Sequence, residues 1–400
     1  MKPFTGNFTR QEALSDGAIA AALKVLKSGR LHRYNSVPGE VSAASRFEAA
    51  YAKYQNARYC LVCASGGYAI SIALRCAGVK YNDAVLTNAF TLAPVPGAIA
   101  AVGARPILVE TTKDLVIDLD DLEEKILHSG ASILLLSHMR GHIVNMGALM
   151  AVLERHDVIL LEDCAHTMGA EWDGKKSGNF GLAACFSTQT YKHLNSGEGG
   201  ILTSNDQQFM ARAIIMSGSY MLYERHGAAP AKEVFDNIRL ETPNMSARMD
   251  NLRAAVLLPQ LELLDKNITR WNERYKIVAT ILAAVAGIRL PKRPPAERFV
   301  GSSLQFLVPQ ITADKAQSFV GANKALGVEL KWFGANEPDA FTSNHHSWCY
   351  IKEQQLPKSD QILSGLFDLR LPLTFSKSDC RQIAAIIAHC HEQTLSKEVL

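Results

Sequence analysis

Residues Val158 to Asp206 read VILLEDCAHTMGAEWDGKKSGNFGLAACFSTQTYKHLNSGEGGILTSND. Four apolar residues, Val158 to Leu161, run straight into two acids, Glu162 and Asp163. A continuous apolar run ended by carboxylates predicts a central parallel strand with a site at its C-terminal end. After a turn at Asp173-Gly174, a second short strand, Leu182 to Phe186, delivers Ser187. Lys192 follows between Tyr191 and His193, and Gly197-Glu198-Gly199-Gly200 leads into a third strand, Ile201 to Thr203. An acid, a hydroxyl and a lysine are thus expected together at strand ends, where open α/β sheets hold their ligands.

That trio suits pyridoxal phosphate. A lysine forms a Schiff base with the cofactor aldehyde, and an acid beside the pyridine nitrogen keeps the ring an electron sink. A hydroxyl and the amides of a helix N-terminus hold the phosphate. Taken singly, Asp163 could cap a helix, Lys192 could be a solvated charge and Ser187 could satisfy a strand-end amide. Their joint spacing on strand, loop and strand favours the site.

The segments LEDCAHTMGA, CFSTQTYKHLNSGEGG and TSND resemble the signature of the DegT/DnrJ/StrS aminotransferases, a sugar-aminotransferase family of fold type I. The resemblance implies an α/β fold with a central, mostly parallel sheet flanked by helices and a smaller C-terminal α+β domain. It places Asp163 at the pyridinium, Ser187 at the phosphate and Lys192 in the Schiff base, with His166 beside the ring hydroxyl. It also implies an amino-acid donor, glutamate or glutamine, a keto-sugar-like acceptor, and a homodimer whose active sites draw on both subunits.

The strand Arg58–Cys63 runs into Ala64-Ser65-Gly66-Gly67 and a helix, a turn whose small residues let amides approach an anion. Gly66 and Gly67 are therefore read as the phosphate cradle, although Gly67 stands where the family carries Thr. Phe90, past the strand Asp83–Thr87, is either a ring stacked on the cofactor or a core residue. The loop Leu31–Glu40 is read either as substrate-side or as plain surface, and His138 as a site residue or a satisfied core histidine. Asn244-Met-Ser-Ala-Arg248-Met249 resembles the motif that reaches the neighbouring subunit's cofactor. Arg248 matches that motif, whereas Ser246 takes the place of its Asn.

Of 400 residues, 48% are hydrophobic and 20% charged, as in an ordinary globular protein. A net charge of +3 without a basic run offers nucleic acid little purchase. No apolar run reaches a membrane span, and with no signal-peptide pattern the expected compartment is the cytoplasm. The eight cysteines sit mostly in apolar surroundings, and no metal site is expected from them. Two domains are expected, 1–262 and 263–400, with Ser15 capping a first helix, Gly29 ending it, and Pro259 interrupting a long helix near the boundary. Lys331-Trp-Phe-Gly334 and His345-His346-Ser-Trp348 depart from the family's nucleotide-sugar pattern. This leaves open a cyclitol or small keto acceptor, a dehydratase, or a non-catalytic cofactor-binding regulator.

Overall fold

Seven five-residue strands form the central sheet of the computed structural model, which describes residues 1–395. They are β1 (Tyr59–Cys63), β2 (Ala84–Asn88), β3 (Arg105–Val109), β4 (Ile133–Ser137), β5 (Ile159–Asp163), β8 (Ala183–Ser187) and β9 (Gly200–Ser204). The two-residue strands β6 (Glu171–Trp172) and β7 (Lys175–Lys176) form a small hairpin between β5 and β8. The order is β1-β9-β8-β5-β4-β2-β3, with β9 antiparallel to both its neighbours and the β8, β5, β4, β2 and β3 run parallel. Alternate residues feed separate apolar layers: Cys60 and Val62 on one face of β1, Leu61 and Cys63 on the other. Being buried on both faces is what makes these strands continuous apolar runs.

Helix boundaries follow local chemistry. The first helix, Asp16–Ser28, starts where Ser15 Oγ accepts the Ala18 amide and ends at Gly29, whose φ of 68° suits glycine. Its apolar residues Ile19, Leu23 and Leu26, however, remain exposed within the chain. The helix Asn251–Glu262 carries Pro259 inside it, and the break comes at Leu263, before the helix Leu264–Ala283.

A second antiparallel sheet, β11 (Ser303–Leu307), β12 (Leu330–Trp332) and β13 (Leu366–Arg370), has the order β11-β13-β12 and packs against the helices Leu264–Ala283 and Lys377–Leu395. A division between 262 and 263 was expected, and the small sheet and its helices lie after it. The chain start departs from that division. Phe4 and Phe8 stack edge-on with Phe375 in the core of the small sheet, where their apolar area is buried, so the first residues pack with the C-terminal unit. The strand β10 (Glu297–Arg298) pairs instead with β6 of the large unit. Of the expected 263–400 unit, residues 396–400 lie outside the described residues.

The loop after the first helix is fixed from beneath. Arg33 forks onto both oxygens of Glu48 at 2.9 Å, and His226 bridges Arg33, Glu48 and Tyr34, all inside the protein. Arg33 is therefore a buried structural cation. Burial pushes the Glu48 carboxyl up, but Arg33 and His226 outweigh it and hold it well below the ordinary range. Glu48 thus adds stability that is complete above its unfolded pKa of 4.5 and is lost as the pH falls towards the native value. Glu48→Gln leaves Arg33 as an uncompensated buried charge. It is expected to lower unfolding free energy by about 3–5 kcal/mol, measured by denaturant titration at neutral pH.

Candidate active site

Asp163, Ser187 and Lys192 converge at the C-terminal ends of β5 and β8. Adjacent residues of a strand face opposite ways, which divides the two acids of β5. Glu162 is fully buried and accepts from the amides of Gly178, Phe180 and Gly181, and it pairs with His138 at 3.1 Å. It pins the loop into β8, and His138 is accounted for by that pairing. Asp163 faces the site: Oδ2 accepts from Ser137 Oγ at 2.9 Å and Oδ1 from the Ala165 amide at 3.1 Å. Asn88 holds Ser137 through its backbone on both sides. Burial raises the Asp163 carboxyl pKa, against the pull of Lys192 and these two donors. Such a carboxylate is short of a positive partner.

Lys192 sits in the loop joining β8 to β9. The hairpin continues past the strands through Thr188 N to Gly199 O and Thr190 N to Gly197 O, and Gln260 clamps Asn195 by side-chain bonds at 2.8 Å. Lys192 Nζ lies 2.8 Å from His166 Nε2. Desolvation, then the cations Arg140, Lys331 and Arg370, bring the amine down from 10.5 to about 7, with Asp163 opposing. Burial and the nearby Lys192 keep His166 neutral, so Nε2 can accept from the amine. His193 turns away, onto Ser302 at 3.1 Å and the edge of Trp271. In cofactor-free protein, Lys192 should therefore react with an amine-acylating reagent with a midpoint near pH 7. Peptide mapping across a pH series checks this, and a midpoint near 10 would contradict it.

The phosphate-cradle residues also meet. The helix Gly66–Cys76 begins against Ser187, whose Cβ lies 3.0 Å from where a Cβ on Gly66 would stand. Gly200 must be glycine, because a side chain there would overlap the Ser65 carbonyl. A Cβ at Gly67 would meet nothing within 4 Å, so open space remains where the family's Thr would project. Ser65 Oγ accepts the Tyr68 amide, while the amides of Gly66 and Gly67 open the helix, a setting in which helix starts can hold an anion.

Two more of the expected residues have partners of their own. Phe90 is buried edge-on to Phe333, ring centroids 5.2 Å apart, in an apolar cluster with Leu115, Met139 and Leu366. Arg248 bonds the Gly218 carbonyl and Ser246 Oγ at the end of β1, and Asn244 accepts the Tyr220 amide. The cations around Lys192 within the chain are Arg140, Lys331 and Arg370. No motif marked these three, and only Arg140, just past the end of β4, occupied a position that suggests a site.

A model of the DegT/DnrJ/EryC1/StrS aminotransferase family matches residues 14–388. The chain belongs to this family. An L-glutamine:2-deoxy-scyllo-inosose aminotransferase of Micromonospora echinospora is 32% identical over 68% of this chain and 63% of its own length. The chain thus spans a little under two thirds of that curated relative. A GDP-perosamine synthase of Caulobacter vibrioides is 30% identical over 56% of this chain and 57% of its own length. Among solved structures, 3-amino-5-hydroxybenzoic acid synthase superposes with a TM-score of 0.83 at 22% identity, covering 98% of this chain and all of that one. DesV of S. venezuelae superposes at 0.77, with 25% identity and 93% of each chain. The fold is that of the type I pyridoxal-phosphate aminotransferases, and the family's cofactor is pyridoxal phosphate.

The residues fit this cofactor. The under-compensated Asp163 carboxyl matches a protonated ring nitrogen, and the open helix start at Gly66 and Gly67 beside Ser187 matches a phosphate. The lowered Lys192 amine matches an aldehyde. Among the described residues no helix is long and apolar enough to cross a membrane.

Proposed function

We propose that this chain transfers an amino group from an amino-acid donor, glutamine or glutamate, to the ketone of a keto-sugar or cyclitol. The observation that carries the reading is the Lys192 amine, brought to about 7 and bonded to His166 in the pocket that holds Asp163. Pyridoxal phosphate, when bound, supplies the electron sink for the carbon from which a proton is removed. Gly66, Gly67 and Ser187 would hold its phosphate, and Asp163 would favour the protonated ring nitrogen.

Lys192 Nζ attaches the resting cofactor and, once freed by the donor, takes the proton from the donor's α-carbon. A pKa near working pH suits an amine to accept that proton and return it. His166 orients the amine through the 2.8 Å bond. The donor leaves as its keto acid, and the nitrogen passes to the acceptor carbonyl.

The intact Lys192 and the turned-away His193 speak against a dehydratase that uses histidine as base. A cyclitol acceptor draws support from the 2-deoxy-scyllo-inosose relative, and a keto-sugar from the GDP-perosamine synthase. The test is amination of a panel of cyclitol ketones and nucleotide keto-sugars with glutamine or glutamate, read by mass spectrometry. Failure to aminate any of them would sink the reading.

The working unit in this reading is a homodimer. Ser246 and Tyr220 are exposed beside Arg248, Leu31, Val37, Val41 and Met221 are exposed as well, and the first helix leaves Ile19, Leu23 and Leu26 uncovered. Light scattering at micromolar concentration should give twice the chain mass. An active monomer would contradict this.

A further inference from the structure

The proposed reaction uses none of His345-His346-Ser347-Trp348. These residues lie in the long connection 333–356, between β12 and the helix Pro357–Ser364. Asn344 sets the turn His345–Ser347. Its Oδ1 accepts the His346 amide at 3.1 Å, and its Nδ2 donates to the carbonyls of Phe333 and Ala335 at 3.0 Å. Trp348, buried with Leu108 and Leu356, anchors the far end of the turn against the edge strand β3. The helix opposite is fixed separately, because Glu110 accepts from the amides of Lys358 and Ser359 and from the Ser359 hydroxyl.

Between these two fixed pieces three ligand atoms meet. His345 Nε2 lies 2.7 Å and His346 Nε2 2.9 Å from one and the same oxygen, Oδ1 of Asp360. The ring centroids are 3.9 Å apart, and the three atoms all lie within 4.8 Å of one another. Asp360 has no Lys or Arg partner among the described residues, so only the two imidazoles face its charge. Donors held about 2.0–2.1 Å from one zinc ion in a tetrahedron stand about 3.3 Å apart, so a small opening of the two contacts admits an ion. His345 is buried, whereas His346 is exposed and Asp360 half-buried, which gives an entry path from solvent and a position for water. Two imidazoles and one carboxylate suit zinc and similar ions better than calcium or magnesium, which take oxygen ligands. The same connection carries Phe341, whose exposed ring lies 6.1 Å from that of Tyr191, the residue before Lys192.

We propose that His345, His346 and Asp360 form a three-ligand site for a divalent transition ion of the zinc type. The ion fastens the connection 333–356 to the helix Pro357–Ser364 and steadies the segment that brings Phe341 to the neighbour of Lys192. The site is separate from the cofactor pocket and stands whether or not the aminotransferase reading does.

The test uses full-length, cofactor-loaded protein, freed of metal by a chelator and titrated with zinc chloride in a calorimeter. One equivalent should bind per chain. His346→Ala and Asp360→Asn should each weaken binding at least about 10- to 100-fold, the loss found when even a supporting residue of a metal site is removed. His346 is exposed, so its replacement spares the packing, and metal-free melting temperatures check that both variants are folded. His346→Cys, which offers a thiolate in place of the imidazole, should restore most of the affinity. Chymotrypsin cleavage after Phe341 should slow roughly tenfold at zinc about ten times its Kd, because the ion binds only the fastened state. The slowing should be lost in His346→Ala. Zinc that does not bind, or that binds the two variants as tightly as wild type, overturns the site. Cleavage equally fast with and without saturating zinc overturns the fastening.

Discussion

Lys192→Ala is expected to cut amino transfer by at least a factor of ~10²–10⁴, the range for loss of a positioned general base. Among the described residues, the side chain's one direct polar contact is the bond to His166 Nε2, so the substitution removes a reactive group without breaking a structural network. Gly66, Gly67, Ser187 and Asp163 stay in place, and cofactor should still bind, now without a covalent link. Dialysis would then strip it from the variant faster than from the wild type. Neither neighbour can take over. Burial disfavours a protonated His166 and makes it a weak proton acceptor, and His193 faces Ser302 and Trp271. Single-turnover absorbance with a saturating donor measures the loss, and a variant within tenfold of wild type would remove Lys192 from the mechanism.

Asp163→Asn should slow the same step by about 10²–10³, as when one preorganised electrostatic partner is removed. The change preserves shape. An Asn oxygen can still accept the Ala165 amide, and the Ser137 hydroxyl can turn to accept from the new amide nitrogen. What disappears is the negative charge that favours a protonated ring nitrogen. The effect should fall on kcat with little change in cofactor content. A second readout is independent of turnover. Because burial raises the Asp163 pKa, the charge is unfavourable in the empty pocket, and the cofactor-free variant should melt no lower than wild type. Near-normal transfer by Asp163→Asn would contradict the role given to it.

The large sheet was legible because its strands are buried on both faces and carry that fact as unbroken apolar runs. Ser15 and Gly29 bounded the first helix through cap chemistry that is local to the chain. Asp163, Ser187 and Lys192 were legible as a group because they stand on neighbouring strand ends within one short stretch. The cations around Lys192 were not. Arg140, Lys331 and Arg370 come from three elements far apart in sequence, and only the register of β12 on β13 and the pairing with Asp368 bring them together. The loop Leu31–Glu40 read as surface or substrate-side because the partners that bury Arg33 lie outside it, Glu48 on the next helix and His226 far along the chain. For Phe90, the apolar neighbour that decides its surroundings is Phe333 of the C-terminal unit. Phe4 and Phe8 likewise found their core at the opposite end of the sequence.

Everything functional in this account passes through one nitrogen, the Nζ of Lys192. Borohydride reduction of the cofactor-loaded protein, followed by digestion and mass mapping, locates the residue to which the cofactor is attached. The account predicts a single modified peptide, containing Tyr191-Lys192-His193, with the added mass on Lys192. Attachment at any other lysine, or no attachment at all, would contradict it.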